Sequence, residues 1–305
     1  MQENNRVMQK NSRILQGKII KGIAGFYYVH TPDNEVFECK AKGIFRKDKI
    51  KPLVGDDVEL AVLDVQEKTG SITGIRERKN ELIRPAVANI DQALVIFAAA
   101  SPKPNFNLLD KFLITMEAQQ VDTIICFNKQ DLASEEELSG LLARYGSCGS
   151  RVIFTSAKKE LGVDTLSGLL AHKTTAVAGP SGVGKSSLIN RLQSGVAMET
   201  GAISQKIERG RHTTRHSQLI CIRENTYIMD TPGFSSLYID IPKDELKEYF
   251  YEFAPYEQDC RFQGCSHIHE PDCGVKKALE QGRIPPGRYE SYASIYQELK
   301  EIKRY

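Results

Sequence analysis

Apolar and polar positions follow two different rhythms along this chain. From residue 14 to 75 the apolar residues come in short runs mixed with glycine: ILQGKIIKGIAGFYYVHT, VFECKAKGIF, VGDDVELAVLDV and GSITGIRER. Polar turn clusters separate them at Pro32-Asp33-Asn34, Gly55-Asp56-Asp57 and Thr69-Gly70-Ser71. Several short strands in about 60 residues predict a small five-stranded barrel, and an SH3-like barrel carries the same pattern. From Ala86 the texture changes. NIDQALVIFAAA reads as a buried strand, LLDKFLITMEAQQ as a helix, and VDTIICFNKQDL as a strand with a polar end. SEEELSGLLARY is a helix opened by Ser134, with acids in its first turn. RVIFTSAKK, VDTLSGLLAHK, TTAVAGPSGVGKSSLINRL and NTYIMDTPG continue the alternation, which predicts a parallel sheet with crossover helices. Beyond Pro242 the chain reads as helical and irregular: KDELKEYFYEF, a Cys/His-rich stretch, VKKALEQG, and RYESYASIYQELKEIKRY.

These rhythms divide the chain into a β-barrel over residues 1–78, an α/β domain over 79–240 and a mostly helical domain over 241–305. The total of 305 residues fits such a division, since single cores stop growing near about 250–300 residues. Charged residues make up 26% and hydrophobic ones 41%, which excludes collagen, mucin and bulk disorder. The longest apolar stretches fall short of the roughly 18 residues a membrane helix needs, so no membrane partner is expected. The opening MQENNRVMQKNSRILQGK lacks an apolar h-region, so no secretory signal and a cytoplasmic location are expected.

The net charge of +2 divides unevenly: +4 over residues 1–80, +1 over 81–239 and −3 over 240–305. In the first segment Lys40, Lys42, Arg46, Lys47, Lys49 and Lys51 cluster, followed by Arg76, Arg78 and Lys79. Such clusters suit a polyanion.

Gly179-Pro180-Ser181-Gly182-Val183-Gly184-Lys185-Ser186 fits G-x-x-x-x-G-K-[ST] between a β-run and a helix that opens Ser186-Ser187. Glycines let backbone N–H groups curl around a β-phosphate, and the helix N-terminus adds partial positive charge. Lys185 is expected to reach the β- and γ-phosphates and to stabilise developing charge in catalysis, and Ser186 to hold Mg²⁺. Asn128-Lys129-Gln130-Asp131 ends another apolar strand. Its Asp131 can accept two hydrogen bonds from guanine, whereas adenine leaves the carboxylate unpaired. Thr155, Ser156, Ala157 and Lys158 end a third strand, where their backbone can touch the guanine O6. In Asp230-Thr231-Pro232-Gly233 the aspartate is expected to hold Mg²⁺ through water and the Gly233 N–H to sense the γ-phosphate. Four such elements, each at the carboxyl end of a strand, lie where open α/β sheets bind ligands.

The motifs run in the order NKQD, TSAK, GPSGVGKS, HTT, DTPG, while ordinary small GTPases place the P-loop first. With the leading barrel and the trailing Cys/His segment, this order resembles the circularly permuted GTPases of the ribosome small-subunit-dependent GTPase A family (RsgA/YjeQ). The resemblance spans nearly the whole chain. It implies an OB-fold barrel and a zinc domain flanking the GTPase. It further implies binding to the small (30S) ribosomal subunit and its rRNA, action late in its maturation, and GTP hydrolysis stimulated by it. GTP would favour docking and hydrolysis to GDP would favour release, with the chain monomeric when free.

Residues 195–217 are placed to form the switch loop. Thr213 or Thr214 should supply its Mg²⁺ hydroxyl, and the sequence leaves the choice open. Phe234 stands after DTPG, where many small GTPases carry a water-orienting glutamine. Slow intrinsic hydrolysis is therefore expected, with His212 or a ribosomal group orienting the water. Alternatively His212 only shapes the loop or contacts RNA.

Seven cysteines are an odd count, and three of them fall in Cys260-x4-Cys265-x-His267-x5-Cys273. Three thiolates and one imidazole suit one closed, structural zinc site. The resemblance favours His267 over His269 as the fourth ligand. Two further readings have other classes of function: a GTP-dependent tether on another RNA or protein partner, and an enzyme coupling hydrolysis to separate chemistry.

Overall fold

The computed structural model describes residues 13–43, 45, 50–83, 86–197, 218–230 and 239–301, with the backbone alone at 83, 194–197 and 230. The chain forms two units, residues 1–90 with 214–220 and residues 91–213 with 221–305.

In the first unit, β1 (Ile14–Ile23), β2 (Phe26–His30), β3 (Val36–Ala41), β4 (Asp57–Asp64) and β5 (Thr69–Ile75) are ordered β1-β2-β3-β5-β4. A β1–β4 pairing closes the ring, with Ile14 opposite Ala61. The β3–β5 pair is parallel and the others antiparallel. This topology is the OB-type barrel and not the SH3-like alternative. Alternation along the strands turns Ile19, Val29, Phe37, Leu60 and Ile72 inward, with Phe45 among them. The fully buried Asp56 accepts two guanidinium hydrogen bonds from Arg78, at 2.7 and 2.9 Å, and one from the Leu53 N–H at 2.7 Å. Arg78 thus braces the barrel and leaves the basic cluster in which its sequence neighbours place it. Arg46, Lys47 and Lys49 lie outside the described residues. A short hairpin, β6 (Glu81–Ile83) and β7 (Ala86–Ala88), follows.

The second unit is built on the parallel sheet β10-β9-β8-β11-β13. Its strands are β8 (Gln92–Ala98), β9 (Asp122–Asn128), β10 (Arg151–Phe154), β11 (Thr174–Ala178) and β13 (Thr226–Asp230). Residues Cys221–Arg223 of β12 (Gln218–Arg223) edge it beside β13. Strands β8 and β11 are buried throughout, as their unbroken apolar runs require in a sheet covered on both faces. The crossover helices are α1 (Phe106–Ala118), α2 (Glu135–Tyr145), α3 (Val163–Leu170) and α4 (Lys185–Ala197). Ser134 and Glu137 close a reciprocal capping box at the start of α2.

The C-terminal part packs in the same unit, with α5 (Ala254–Glu257), α6 (Gly274–Glu280) and α7 (Pro286–Glu301). KDELKEYFYEF forms two short 3₁₀ turns, Leu246–Tyr249 and Tyr251–Phe253, instead of a helix. The break falls at Phe250, whose extended backbone lets its ring stack on Phe253 at 5.4 Å inside the core. That core gathers Leu246, Phe250, Phe253, Tyr292 and Ile295 with Ile114 of α1. Beneath it Arg288 is 1% exposed and is clasped by Asp110 of α1 and by Glu252, whose Oε1 lies 2.5 Å from Nε. Among the described residues no helix is long and apolar enough to cross a membrane.

Candidate functional site

The segments after β9, β10 and β11 converge at the carboxyl edge of the sheet. Gly179 leaves β11 at φ 139°, and a Cβ there would stand 2.1 Å from the Ile96 carbonyl oxygen of β8. Gly184 has φ 91°, and its Cβ would meet Asn128 Nδ2 at 2.5 Å. Both positions therefore require glycine for backbone shape and for close approach by neighbouring strands. Between them Pro180 is half-buried, Ser181 and Gly182 are exposed and Val183 is buried. Lys185 folds back so that Nζ donates to the Gly179 and Pro180 carbonyls at 2.8 and 2.7 Å. Ser186 and Ser187 sit exposed in the first turn of α4. A glycine-rich turn, a helix N-terminus and an ammonium group are brought together here, the features an anion site needs.

Asn128, 1% exposed, joins three segments. Its Nδ2 donates to the Val183 carbonyl at 2.9 Å, and its Oδ1 accepts from the Thr155 hydroxyl at 3.1 Å and the Ala157 N–H at 3.2 Å. Lys129 takes the left-handed conformation, φ 61°, and its Nζ donates to the Gly182 carbonyl at 2.7 Å and the Ser101 carbonyl at 2.9 Å. The Ser156 hydroxyl donates to Asp131 Oδ1 at 2.5 Å and holds that carboxyl below its ordinary range. Asp131 is thus kept ionised at the mouth of the loops, an acceptor-only group of the kind guanine's paired donors need. Lys158 is exposed beside it. The β11–β13 register sets Asp230 opposite Val177, two residues before the P-loop. The Asp230 side chain and Gly233, Phe234, His212, Thr213 and Thr214 lie outside the described residues.

Cys260, Cys265, His267 and Cys273 bring one ligand atom each within 4.8 Å of one another. Cys260 Sγ lies 3.8 Å from Cys273 Sγ and 3.6 Å from His267 Nδ1, which is 3.3 Å from Cys273 Sγ. Tetrahedral bonds of about 2.3 Å to sulfur and about 2.0 Å to nitrogen place such atoms about 3.5–3.8 Å apart, so the set fits a four-coordinate metal ion. His267 Nε2 faces Glu257 Oε1 at 3.1 Å. That contact directs Nδ1 at the sulfurs, and burial lowers the imidazole pKa and favours the neutral ligand form. The Gly274 and Lys276 N–H groups point at Cys260 and Cys273 Sγ. His269 is exposed and stands outside the cluster.

The family profile described as RsgA GTPase matches residues 75–240, more than half of the chain, and that of the RsgA N-terminal domain matches 16–72. The chain belongs to the RsgA GTPase family. It is therefore a GTP hydrolase. Similar RsgA proteins include those of Agathobacter rectalis, 57% identical over 95% of this chain and 100% of that one, and Alkaliphilus metalliredigens, 50% identical over 95% and 99%. Both are named small ribosomal subunit biogenesis GTPase RsgA. Among solved structures, YloQ, described as a circularly permuted GTPase, is 36% identical with a TM-score of 0.77, covering 97% of this chain and 99% of its own. YjeQ from Thermotoga maritima is 35% identical with a TM-score of 0.78, covering 95% and 100%. The permuted motif order is thus a property of the RsgA fold.

Two contributors in this RsgA protein, Arg191 and Glu257, escape the sequence reading, and a third, Thr155, was read only for its backbone. Thr155 bridges Asn128 and Cys126, whose Sγ lies 3.2 Å from its hydroxyl. Arg191 donates to the Ala157 carbonyl at 3.2 Å and pairs with Glu160 at 2.6 Å. Glu257 orients His267. The usable signals were faint: Arg191 lies under two turns past Lys185 on the same helix, and Glu257 one turn before Cys260.

Proposed function

We propose that this GTPase docks on the small (30S) ribosomal subunit in its GTP form, late in subunit maturation, and leaves after hydrolysis to GDP and phosphate. The observation that carries the nucleotide half of this reading is Asn128, which ties the P-loop, the N-K-x-D segment and the Ser156-Ala157 segment into one unit. The relatives' names carry the ribosomal half.

In this reading Asp131 takes guanine N1–H and the exocyclic amine, while Ser156, Ala157 and Lys158 line the base. The backbone of Gly179, Pro180, Ser181, Gly182, Val183 and Gly184, with Ser187, wraps the phosphates. Lys185 exchanges its carbonyl partners for β- and γ-phosphate oxygens and stabilises the charge that spreads over them as water attacks in line. Ser186, Asp230 and Thr213 or Thr214 hold Mg²⁺, which when bound neutralises phosphate charge. Gly233 senses the γ-phosphate, and His212 or a ribosomal group orients the water. If His212→Ala retains full ribosome-stimulated turnover, that role passes to the ribosome.

Zinc is the ion that a Cys₃His set suits best, and with four protein ligands it would be structural. Cys265 and His267 are buried in the segment whose core it would complete. The barrel and this metal segment are the rRNA-facing parts. Phe26 carries the Lys40 ammonium 4.8 Å above its ring, and Tyr28 carries Lys21 at 5.8 Å, a pairing of aromatic and cation that suits single-stranded RNA. Phe45 is buried in the barrel and Tyr27 packs against that core, so neither joins this surface. The free chain is a cytoplasmic monomer in this reading. Co-sedimentation with small subunits tests docking: retention with a non-hydrolysable GTP analogue and release with GDP are expected. Equal retention in both states would contradict the cycle.

A further inference from the structure

A cleft of about 780 Å³ opens in the second unit, and none of the nucleotide or metal-ligating residues lines it. One wall is the segment between β8 and α1, with Lys103 and Pro104; a second is α2, with Gly140 and Leu141; the third is the turn before α7, with Arg283 and Pro285. The Arg144 guanidinium lies 3.9 Å from the Phe106 ring centroid and donates to the Gly287 carbonyl at 2.5 Å and to Ser291 Oγ at 3.0 Å, fixing the walls to one another. The volume and the mix of apolar walls with a few charged groups are those of a small-molecule site.

Charge sets the class of ligand. Lys103, Arg144 and Arg283 face one carboxylate, Glu137, which is occupied by the Ser134 N–H at 2.8 Å in the capping box. Lys103 is exposed, and its ammonium makes no hydrogen bond or ion pair among the described residues.

Gly140 adds an independent observation. It stands inside α2, where glycine weakens a helix relative to alanine. A Cβ there would meet nothing within 4 Å. Without a side chain, Gly140 leaves this wall of the cleft open.

We propose that this cleft binds a small organic anion, a flat apolar body bearing a carboxylate or phosphate, and acts as an effector site. The wall bearing Lys103 also supplies the Ser101 carbonyl to Lys129 Nζ, and its Ala99 N–H donates to the Asn128 carbonyl at 2.7 Å. An occupant steadies that segment and tightens nucleotide binding, and the two affinities are linked in both directions.

The test titrates full-length protein, saturated with GDP and Mg²⁺, with 2-naphthoate, 2-naphthyl phosphate and neutral 2-naphthamide, followed by ligand-observed NMR. One or both anions should bind at a single site at least about ten-fold more tightly than the amide, and their order tells carboxylate from phosphate. Gly140→Leu, which fills the cleft, and the double change Lys103→Glu with Arg283→Glu should each weaken the anion about ten-fold with basal hydrolysis unchanged, and Gly140→Leu should not lower Tm. GDP affinity, measured by fluorescence, should tighten about two-fold or more with the anion in the parent and not in Gly140→Leu. Equal binding of amide and anions, binding indifferent to both variants, or no binding up to about 10 mM overturns the site. Intact anion binding with unchanged GDP affinity overturns the effector role.

Discussion

Asn128 Nδ2 donates to the Val183 carbonyl at 2.9 Å across 55 positions of sequence. The same side chain accepts from Thr155 and Ala157, so one buried amide fixes the spacing of three loops. Asn128→Ala strands those partners in a buried site. A stability loss of about 1–3 kcal/mol is expected, together with a large loss of GDP affinity. Denaturant titration and fluorescent-nucleotide binding measure the two, and wild-type affinity would contradict the bridging role.

In the proposed reading Asp131 selects the base. In Asp131→Asn the acceptor that guanine needs becomes partly a donor, and xanthine, which carries a carbonyl where guanine has the amine, becomes the better match. GTP affinity should fall by about 10²-fold or more while xanthosine triphosphate binding improves. Because Ser156 holds the Asp131 carboxyl below its ordinary range, guanine binding should persist as pH falls through that range. The ionised form is the binding form, so affinity is present above the folded pKa and lost below it. In Ser156→Ala the loss should begin at higher pH, and superimposable pH profiles would refute the assignment.

Arg288 joins α1 to the C-terminal segment through Asp110 and Glu252, all three essentially sealed from water. Arg288→Met leaves two carboxyls buried without their cation, and a loss of about 3–5 kcal/mol is expected. Burial already raises the Asp110 pKa, with Arg288 drawing it partly back. Removing the arginine raises the Asp110 value further above its unfolded one. The neutral acids are tolerated at low pH, so the variant's deficit should be full near pH 8 and shrink toward pH 5. A deficit that does not change with pH would contradict this.

Much of the nucleotide site was legible because a P-loop is written in contiguous residues whose backbone does the work. Gly179 and Gly184 stand in the motif where the backbone admits only glycine, and Lys185 Nζ turns back on the Gly179 carbonyl. Asn128 was legible as a motif letter but not as a bridge, since Val183 and Thr155 come from distant sequence. Arg288 and Asp110 sit in polar helical stretches and look like solvated residues; only the tertiary fold buries them. Arg78 shows the opposite: a basic run suggested a polyanion surface, while Asp56 claims its guanidinium. KDELKEYFYEF has helical composition, yet two phenylalanines three apart both had to enter the core, and the chain breaks between them.

The metal cluster gives a further expectation. Glu257 accepts from His267 Nε2, so Glu257→Gln should keep the fold and lower metal affinity about 10–100-fold. Chelation or Cys265→Ser should release the ion and unfold the C-terminal segment. Competition with a chromophoric chelator measures the affinity, and an unchanged metal content in Cys265→Ser would remove the site.

Steady-state GTP hydrolysis, with and without purified small ribosomal subunits, tests the central claim most directly. ATP and large subunits are the controls. Stimulation by the small subunit alone, specific to GTP and about ten-fold or more, is the expected result, a barrier lower by about 1.4 kcal/mol. GTP hydrolysis that is indifferent to small subunits would contradict it and assign the switch to another partner.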